Sequence, residues 1–289
     1  MLRAILAYKA GIIKKDTLLS STSLIISSIT LQISMATANL SYFKALSLLT
    51  LALSIYSTWS YPFKEDPTFT PFTSVNWVIT IYWLVTYISQ IAFVNSIFLV
   101  NDGSYNLTGE ITSISNPVRV LTHFSIFNVA HMVWSILFFK HHYFLSLLVA
   151  GFNFLQILTL LPLKTTKLVR WPVISLPLSW LMYTLFWNGA LWLGTNGTFG
   201  RIIANVFIWD FLIVGFVILM FYDDYAIGLS TSFLLLGIGW GQLVNKLFSL
   251  QWIFGFINSG LLFLLSVGTM VKPFHSSSPT IDETRPLTA

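Results

Sequence analysis

The stretch "FTSVNWVITIYWLVTYISQIAFVNSIFLV", Phe72–Val100, carries no charged residue over 29 positions. At about 1.5 Å of rise per residue a helix of that length exceeds the ~30 Å hydrocarbon core of a bilayer. Within it Asn76, Thr80, Trp83, Tyr87 and Gln90 recur at intervals of four, three, four and three, which lays one polar and aromatic stripe along a single helical face. Polar groups are costly against acyl chains, so that face is predicted to turn toward other helices.

The rest of the chain has the same character. Of its 289 residues 55% are hydrophobic and 9% charged, against about 25% charged in soluble domains, and mean hydropathy is +0.77. So few charges cannot cover a water-exposed surface. Further apolar runs near Tyr42–Thr58, Val120–Phe139, Tyr143–Leu161, Val173–Leu193, Ile202–Phe221, Ala226–Phe248 and Trp252–Val271 bring the expected spans to eight. The expected fold class is all-α: a polytopic transmembrane helix bundle embedded in the lipid bilayer.

Charge placement sets its orientation. The Ser- and Thr-rich segment Thr17–Ala38 is a candidate ninth span. With eight spans and a cytosolic N-terminus, eleven of the fifteen basic residues lie inside (Arg3, Lys9, Lys14, Lys15, Lys44, Arg119, Lys164, Lys167, Arg170, Lys272 and Arg285) and four outside (Lys64, Lys140, Arg201 and Lys246). A ninth span divides them eight against seven and removes the bias that cytosolic loops normally carry. Thr17–Ala38 is therefore placed in the interface or as a re-entrant piece, and both termini face the cytosol. The net charge of +5 serves orientation on this reading, and no nucleic-acid partner is expected.

Other signals are weaker. The absence of cysteine removes disulfides, thiolate ligands and cysteine nucleophiles. The first sixteen residues are basic and nearly acid-free, faintly like a mitochondrial presequence. An endomembrane, of endoplasmic reticulum or vacuole, is favoured, with a mitochondrial membrane as the alternative. Sequons at Asn39, Asn106 and Asn196 fall on the cytosolic side or too near the membrane to be glycosylated easily. Residues 273–289 are polar and proline-containing and are expected to be disordered.

Polar residues recur inside the spans. The third has Asn128, His131 and Ser135 beside Trp134; the fourth Asn153 and Gln156; the fifth Tyr183, Thr184, Trp187 and Asn188. They act either as hydrogen-bonding glue between helices or as the lining of a cavity. His131, in mid-span, must point into the bundle as a satisfied core group or a ligand. His141 and His142, beside Lys140 and Tyr143, sit at a helix turn where polar tips reach headgroups. No HExxH, CxxC or carboxylate pair accompanies His131, so no metal site is expected, while haem ligation by it stays open.

Asp210 stands near the centre of the sixth span, where a carboxylate implies a proton relay, a cation site or a buried base as partner. Lys246, Arg201 and His131 are the candidate partners. Gly237 and Gly241, four apart in the seventh span, allow close approach of another helix, from this chain or from a second copy in a homodimer.

Three motifs then line up. "PFTSVNWVITIYWLVTY" has Trp77, Trp83 and Tyr87; "HMVWSILFF" has Trp134, Ser135, Leu137, Phe138 and Phe139; "LPLSWLMYTLFWNGALWL" has Trp180 and Asn188 eight apart. In spacing and order they resemble the second, third and fifth helices of the TspO/MBR family, the translocator or tryptophan-rich sensory proteins. The resemblance covers the first five spans. It departs where His131 replaces an asparagine, where Pro177 lies one residue closer to Trp180, and where three extra helices follow. The chain also resembles a fungal family of multi-spanning proteins of unknown function. The domain organisation implied is a basic and interfacial segment at 1–38, a five-helix bundle at 39–196, three additional helices at 197–272 and the tail. The TspO/MBR resemblance implies a pocket for a flat lipophilic ligand, a sterol or a porphyrin, lined by Trp77, Trp83, Tyr87, Trp134, Trp180 and Asn188. Gln90, Asn128 and His131 extend that lining on the periodicity alone.

Three functions are expected from these features: binding or sensing of a lipophilic small molecule in that pocket; proton- or cation-coupled transport through Asp210; and a non-catalytic scaffold using the Gly237–Gly241 face. No nucleophile with its base, metal triad or paired acid and base is legible, so no catalytic residue is assigned and an enzyme is not expected.

Overall fold

The computed structural model describes residues 42–60, 70–99, 117–163, 165–194, 197–245 and 251–275. Thr17–Ala38, Lys246, the three sequons and the tail beyond His275 lie outside the described residues. The chain divides into two units, Met1–Leu46 and Ser47–Ala289. Residues 42–46, the start of a helix, are the described part of the first; the chain from Ser47 onward forms the second.

The elements are α1 (42–60), α2 (Asn76–Leu99), α3 (Pro117–Phe139), α4 (Tyr143–Leu158), α5 (Lys167–Arg170, Trp171–Ser175 and Leu176–Leu193), α6 (Thr198–Phe207), α7 (Asp210–Tyr222), α8 (Tyr225–Asn245) and α9 (Gln251–His275). No strand occurs among the described residues. Among the described residues, five helical stretches are long and apolar enough to cross a membrane: Asn76–Phe98, Val118–Phe139, Gly200–Tyr222, Tyr225–Val244 and Gln251–Val271. α1, α4 and α5 are helical where spans were expected but do not meet that combination of length and apolarity.

Polarity is arranged as lipid demands. Leu84, Val85, Ile88 and Ile91 of α2 are exposed, while Thr86 and Gln90 of the same helix, with Asn128, Asn153, Ser179 and Thr231 of its neighbours, are buried. With no water to satisfy them in hydrocarbon, polar groups gather between helices and the apolar residues form the outer wall.

Two backbone irregularities interrupt the regular helices. α5 is one continuous helix, since Arg170, Trp171, Ser175 and Leu176 all keep right-handed helical φ and ψ, but Trp171–Ser175 widen into a π turn. Pro172 and Pro177 cause it: neither has an N–H, and each ring crowds the preceding turn. Side chains of α2 support it, Gln90 Nε2 donating to the freed Pro172 O at 3.3 Å and Tyr82 Oη to Leu176 O at 2.5 Å. Ile208 and Trp209 keep right-handed helical φ and ψ, so α6 and α7 continue one another, with a local break in the hydrogen-bond ladder at these two residues. Asn258 of α9 donates to the carbonyl of Ile208 at this break, 2.9 Å away.

α8 packs against α2, α5, α7 and α9. Its glycines make that possible. A Cβ on Gly237 would collide with Ser74 and Val78, and one on Gly241 would stand 2.6 Å from the Thr73 carbonyl. Val75 N donates to Gly237 O, 3.3 Å, and Gln242 Nε2 to Thr70 O, 2.8 Å. The small-residue face, which the sequence left open to a helix of this chain or to a second copy, is covered by the chain's own segment 70–78, which packs and hydrogen-bonds along it.

Candidate functional site: a closed aromatic chamber

The inward stripes of α2, α3 and α5 meet. Trp83, Tyr87, His131, Trp134, Trp180, Tyr183 and Trp187 are all buried. The His131 ring stacks on Trp83 with centroids 4.1 Å apart and lies between Phe127 and Trp134 of its own helix, at 6.1 and 5.5 Å. Trp180 meets Trp83 and Trp134 edge-on, at 4.9 and 5.8 Å. Phe138 and Trp187, 4.6 Å apart, extend the cluster toward the far end of α5. Such edge-to-face and offset pairs each add about 0.5–1.5 kcal/mol beyond the area they bury.

His131 is satisfied from α1, a helix that contributes none of the expected lining residues. Its Nε2 lies 3.1 Å from Thr58 Oγ1, which is 2.6 Å from Tyr87 Oη; Tyr87 in turn donates to the Ser54 carbonyl at 3.1 Å. The sequence carries a signal for it: Ser47, Thr50, Ser54 and Thr58 succeed one another at spacings of three, four and four, a hydroxyl stripe of the same kind as that of α2. Coordination of a haem iron through Nε2 would displace Thr58 from His131.

The remaining expected lining residues separate. Trp77 is 47% exposed and is no part of the chamber: six residues from Trp83, it points about 120° away around the helix. Asn76 and Thr80 are also exposed. Asn188 turns to α4, its Nδ2 donating to Ser146 Oγ at 2.7 Å. Asn128 Nδ2 bonds its own helix at the Phe124 carbonyl, 3.0 Å, and Gln90 holds the π turn. Asn153 and Gln156 link to each other and to Phe127 O. Except for Asn128, these polar groups act as glue between helices.

Two donors stand apart. The indole N–H groups of Trp83 and Trp134 are buried and find no acceptor among the described residues. Leaving such a group unsatisfied costs about 1–3 kcal/mol. Beside Trp83 a groove of about 90 Å3 opens between α1 and α2, lined by Thr58, Trp59, Ile79, Thr80, Trp83, Leu84 and Tyr87. That is well below the roughly 300–1,000 Å3 of small-molecule pockets. The aromatic faces do turn toward one another, as expected, but they fill the space between them.

Elsewhere, Asp210 opens α7 at the helix break and is half-buried; it makes no ion pair among the described residues. The buried ion pair is a different one. Arg170 Nε donates to Asp224 Oδ2 at 2.6 Å, and Ser175 Oγ donates to the same carboxylate at 2.9 Å. Asp224 Oδ1 caps α8 by accepting from Ile227 N at 3.3 Å, and Arg170 Nη1 reaches the Leu163 carbonyl at 3.0 Å. The ends of α4, α5 and α8 are tied together there. No group of three or more His, Cys, Asp or Glu side chains able to hold a metal occurs among the described residues.

Comparison with known proteins bears on the C-terminal part. Residues 201–287 match a family described as "Fungal protein of unknown function (DUF1774)". A Schizosaccharomyces pombe protein, "Uncharacterized protein C637.03", is 39% identical over 75 residues, which are 26% of this chain and 28% of that protein. The chain thus matches about a quarter of the length of that relative. No solved structure matches. The match supports the fungal half of the sequence resemblance and not the TspO/MBR half. It falls on the α6–α9 region, beyond the five helices on which the TspO/MBR motifs were found.

Proposed function

We propose that the chain is a non-enzymatic integral membrane protein that binds a lipophilic small molecule carrying a hydrogen-bond acceptor, of the sterol or tetrapyrrole class, in the aromatic chamber between α1, α2, α3 and α5. The observation that carries this reading is the pair of buried indole N–H groups of Trp83 and Trp134 without an acceptor, flanking His131. A ligand carbonyl or hydroxyl oxygen satisfies them, and the rings supply the apolar contact such ligands need. Because the chamber is closed, the ligand parts α1 from α2 along the groove beside Trp83.

The test is fluorescence titration of the protein in lipid nanodiscs with protoporphyrin IX and, separately, with a fluorescent sterol. Trp83→Phe and Trp134→Phe remove one donor each while keeping an aromatic ring. Each is expected to weaken binding about fivefold, the worth of one hydrogen bond. Unchanged affinity in both variants rejects the chamber as the site.

A second reading, cation- or proton-coupled transport, is favoured by Asp210, half-buried within the apolar stretch Gly200–Tyr222. An intramembrane carboxylate is a functional group by default. His131 is bonded to Thr58 and does not serve Asp210. Under this reading Asp210→Asn abolishes proton or sodium flux into liposomes.

A further inference from the structure

A second cavity lies on the opposite flank of α2. It measures about 260 Å3 and is bounded by Ile81 and Val85 of α2, Trp171 and Leu176 of α5, and Leu229 and Phe233 of α8. The two hydroxyls in its wall are already engaged: Tyr82 Oη donates to the Leu176 carbonyl, and Ser230 Oγ lies 2.6 Å from Ser179 Oγ and donates to Ala226 O at 2.7 Å. The wall therefore offers an occupant apolar contact only. Ile81, Val85 and Trp171 are substantially exposed, so the groove opens sideways on the apolar outer wall of the bundle.

One end of it changes character. Trp171 meets Tyr225 edge-on at 6.0 Å, and the Lys167 ammonium stands 5.6 Å from the centre of the Tyr225 ring. Lys167 is exposed and makes no ion pair among the described residues. Asp224, the nearby buried acid, is consumed by Arg170, and Asp223, exposed in the same turn, is not bonded to Lys167. An apolar groove ending in two amphipathic rings and a cation has the polarity profile of one lipid molecule, from acyl chain through interface to headgroup.

We propose that this groove holds an acyl chain of an anionic phospholipid from the bilayer, with its net-negative headgroup on Lys167. The site is separate from the aromatic chamber, so either proposal can fail without the other.

The experiment is native mass spectrometry of the full chain released from nanodiscs of equal parts palmitoyl-oleoyl phosphatidylglycerol and palmitoyl-oleoyl phosphatidylcholine. The wild-type protein is expected to retain phosphatidylglycerol over phosphatidylcholine by about fivefold, the worth of one lysine at a membrane surface. Lys167→Ala, an exposed position that does not threaten folding, is expected to retain both lipids equally. Leu229→Trp fills the groove and is expected to lose both adducts while leaving protoporphyrin titration of the chamber unchanged. Equal retention of the two lipids by the wild type, an undiminished preference in Lys167→Ala, or wild-type adduct levels in a folded Leu229→Trp protein overturns the proposal. If Leu229→Trp misfolds, Lys167→Ala decides alone.

Discussion

Removing the Asp224 carboxylate is the perturbation that the structure grades most sharply. Asp224 is 2% exposed at its side chain and Arg170 15%, so Asp224→Ala leaves a guanidinium in a poorly hydrated place with only the Leu161 and Leu163 carbonyls for company. Breaking a buried pair from one side costs about 3–5 kcal/mol, a figure that already exceeds the ~1 kcal/mol of the α8 cap lost with it. For a chain of this size 1 kcal/mol corresponds to about 2 °C of melting temperature, so Asp224→Ala is expected to melt about 6–10 °C lower. Arg170→Met should cost less, because the stranded carboxylate keeps Ser175 Oγ and Ile227 N as donors. The double variant removes both charges and should be more stable than Asp224→Ala alone. Loss of the monodisperse peak after heating in detergent, read by size-exclusion chromatography, measures all three; thiol-reactive dyes are ruled out in a chain without cysteine. An Asp224→Ala protein melting within about 1 °C of wild type, or single effects that simply add in the double variant, refutes the reasoning.

Three further outcomes are expected from the packing. Gly241→Ala drives a methyl group against the Thr73 carbonyl and should cost about 1–3 kcal/mol in the same heating assay; a change in oligomeric state at unchanged stability would instead return that face to a partner. Ser146→Ala strands the Asn188 amide and should destabilise by about 1 kcal/mol, the scale of interhelical hydrogen bonds in membranes, without altering ligand affinity; weakened protoporphyrin binding would place Asn188 in the site after all. Asp210→Asn should leave chamber titrations unchanged, whereas its loss of cation flux in liposomes would favour the transport reading over the binding one.

Periodicity identifies Trp83, Tyr87, His131, Tyr183 and Trp187 as inward-facing, because residues at helical spacing share a face whatever lies opposite, and the family motifs add Trp134 and Trp180. It also locates the helices closely: α4 begins at Tyr143 as expected, and α3 ends at Phe139. What lies beyond it is the third dimension. Whether facing rings enclose a space or fill it depends on interhelical distance, which no spacing encodes. Arg170 and Asp224 are 54 positions apart, and in the sequence they look like charges of separate loops; their pairing needs the ends of α5 and α8 to lie on one side of the bundle. Pro172 and Pro177 announce a disturbance in α5 but not that Gln90 and Tyr82 absorb it. Family spacing puts Trp77 in the pocket and helical angle puts it outside, and the angle prevails.

The crowding of indoles around His131 has an optical consequence. Trp180 lies within 6 Å of both Trp83 and Trp134, close enough for their excited states to couple, so the near-ultraviolet circular dichroism of this protein should carry a signed couplet rather than the sum of independent bands. Any event that spreads α1 from α2, whether a bound guest, a changed bilayer thickness or gentle heat, shifts that couplet before the fold is lost. The core therefore reports its own state of closure without a label.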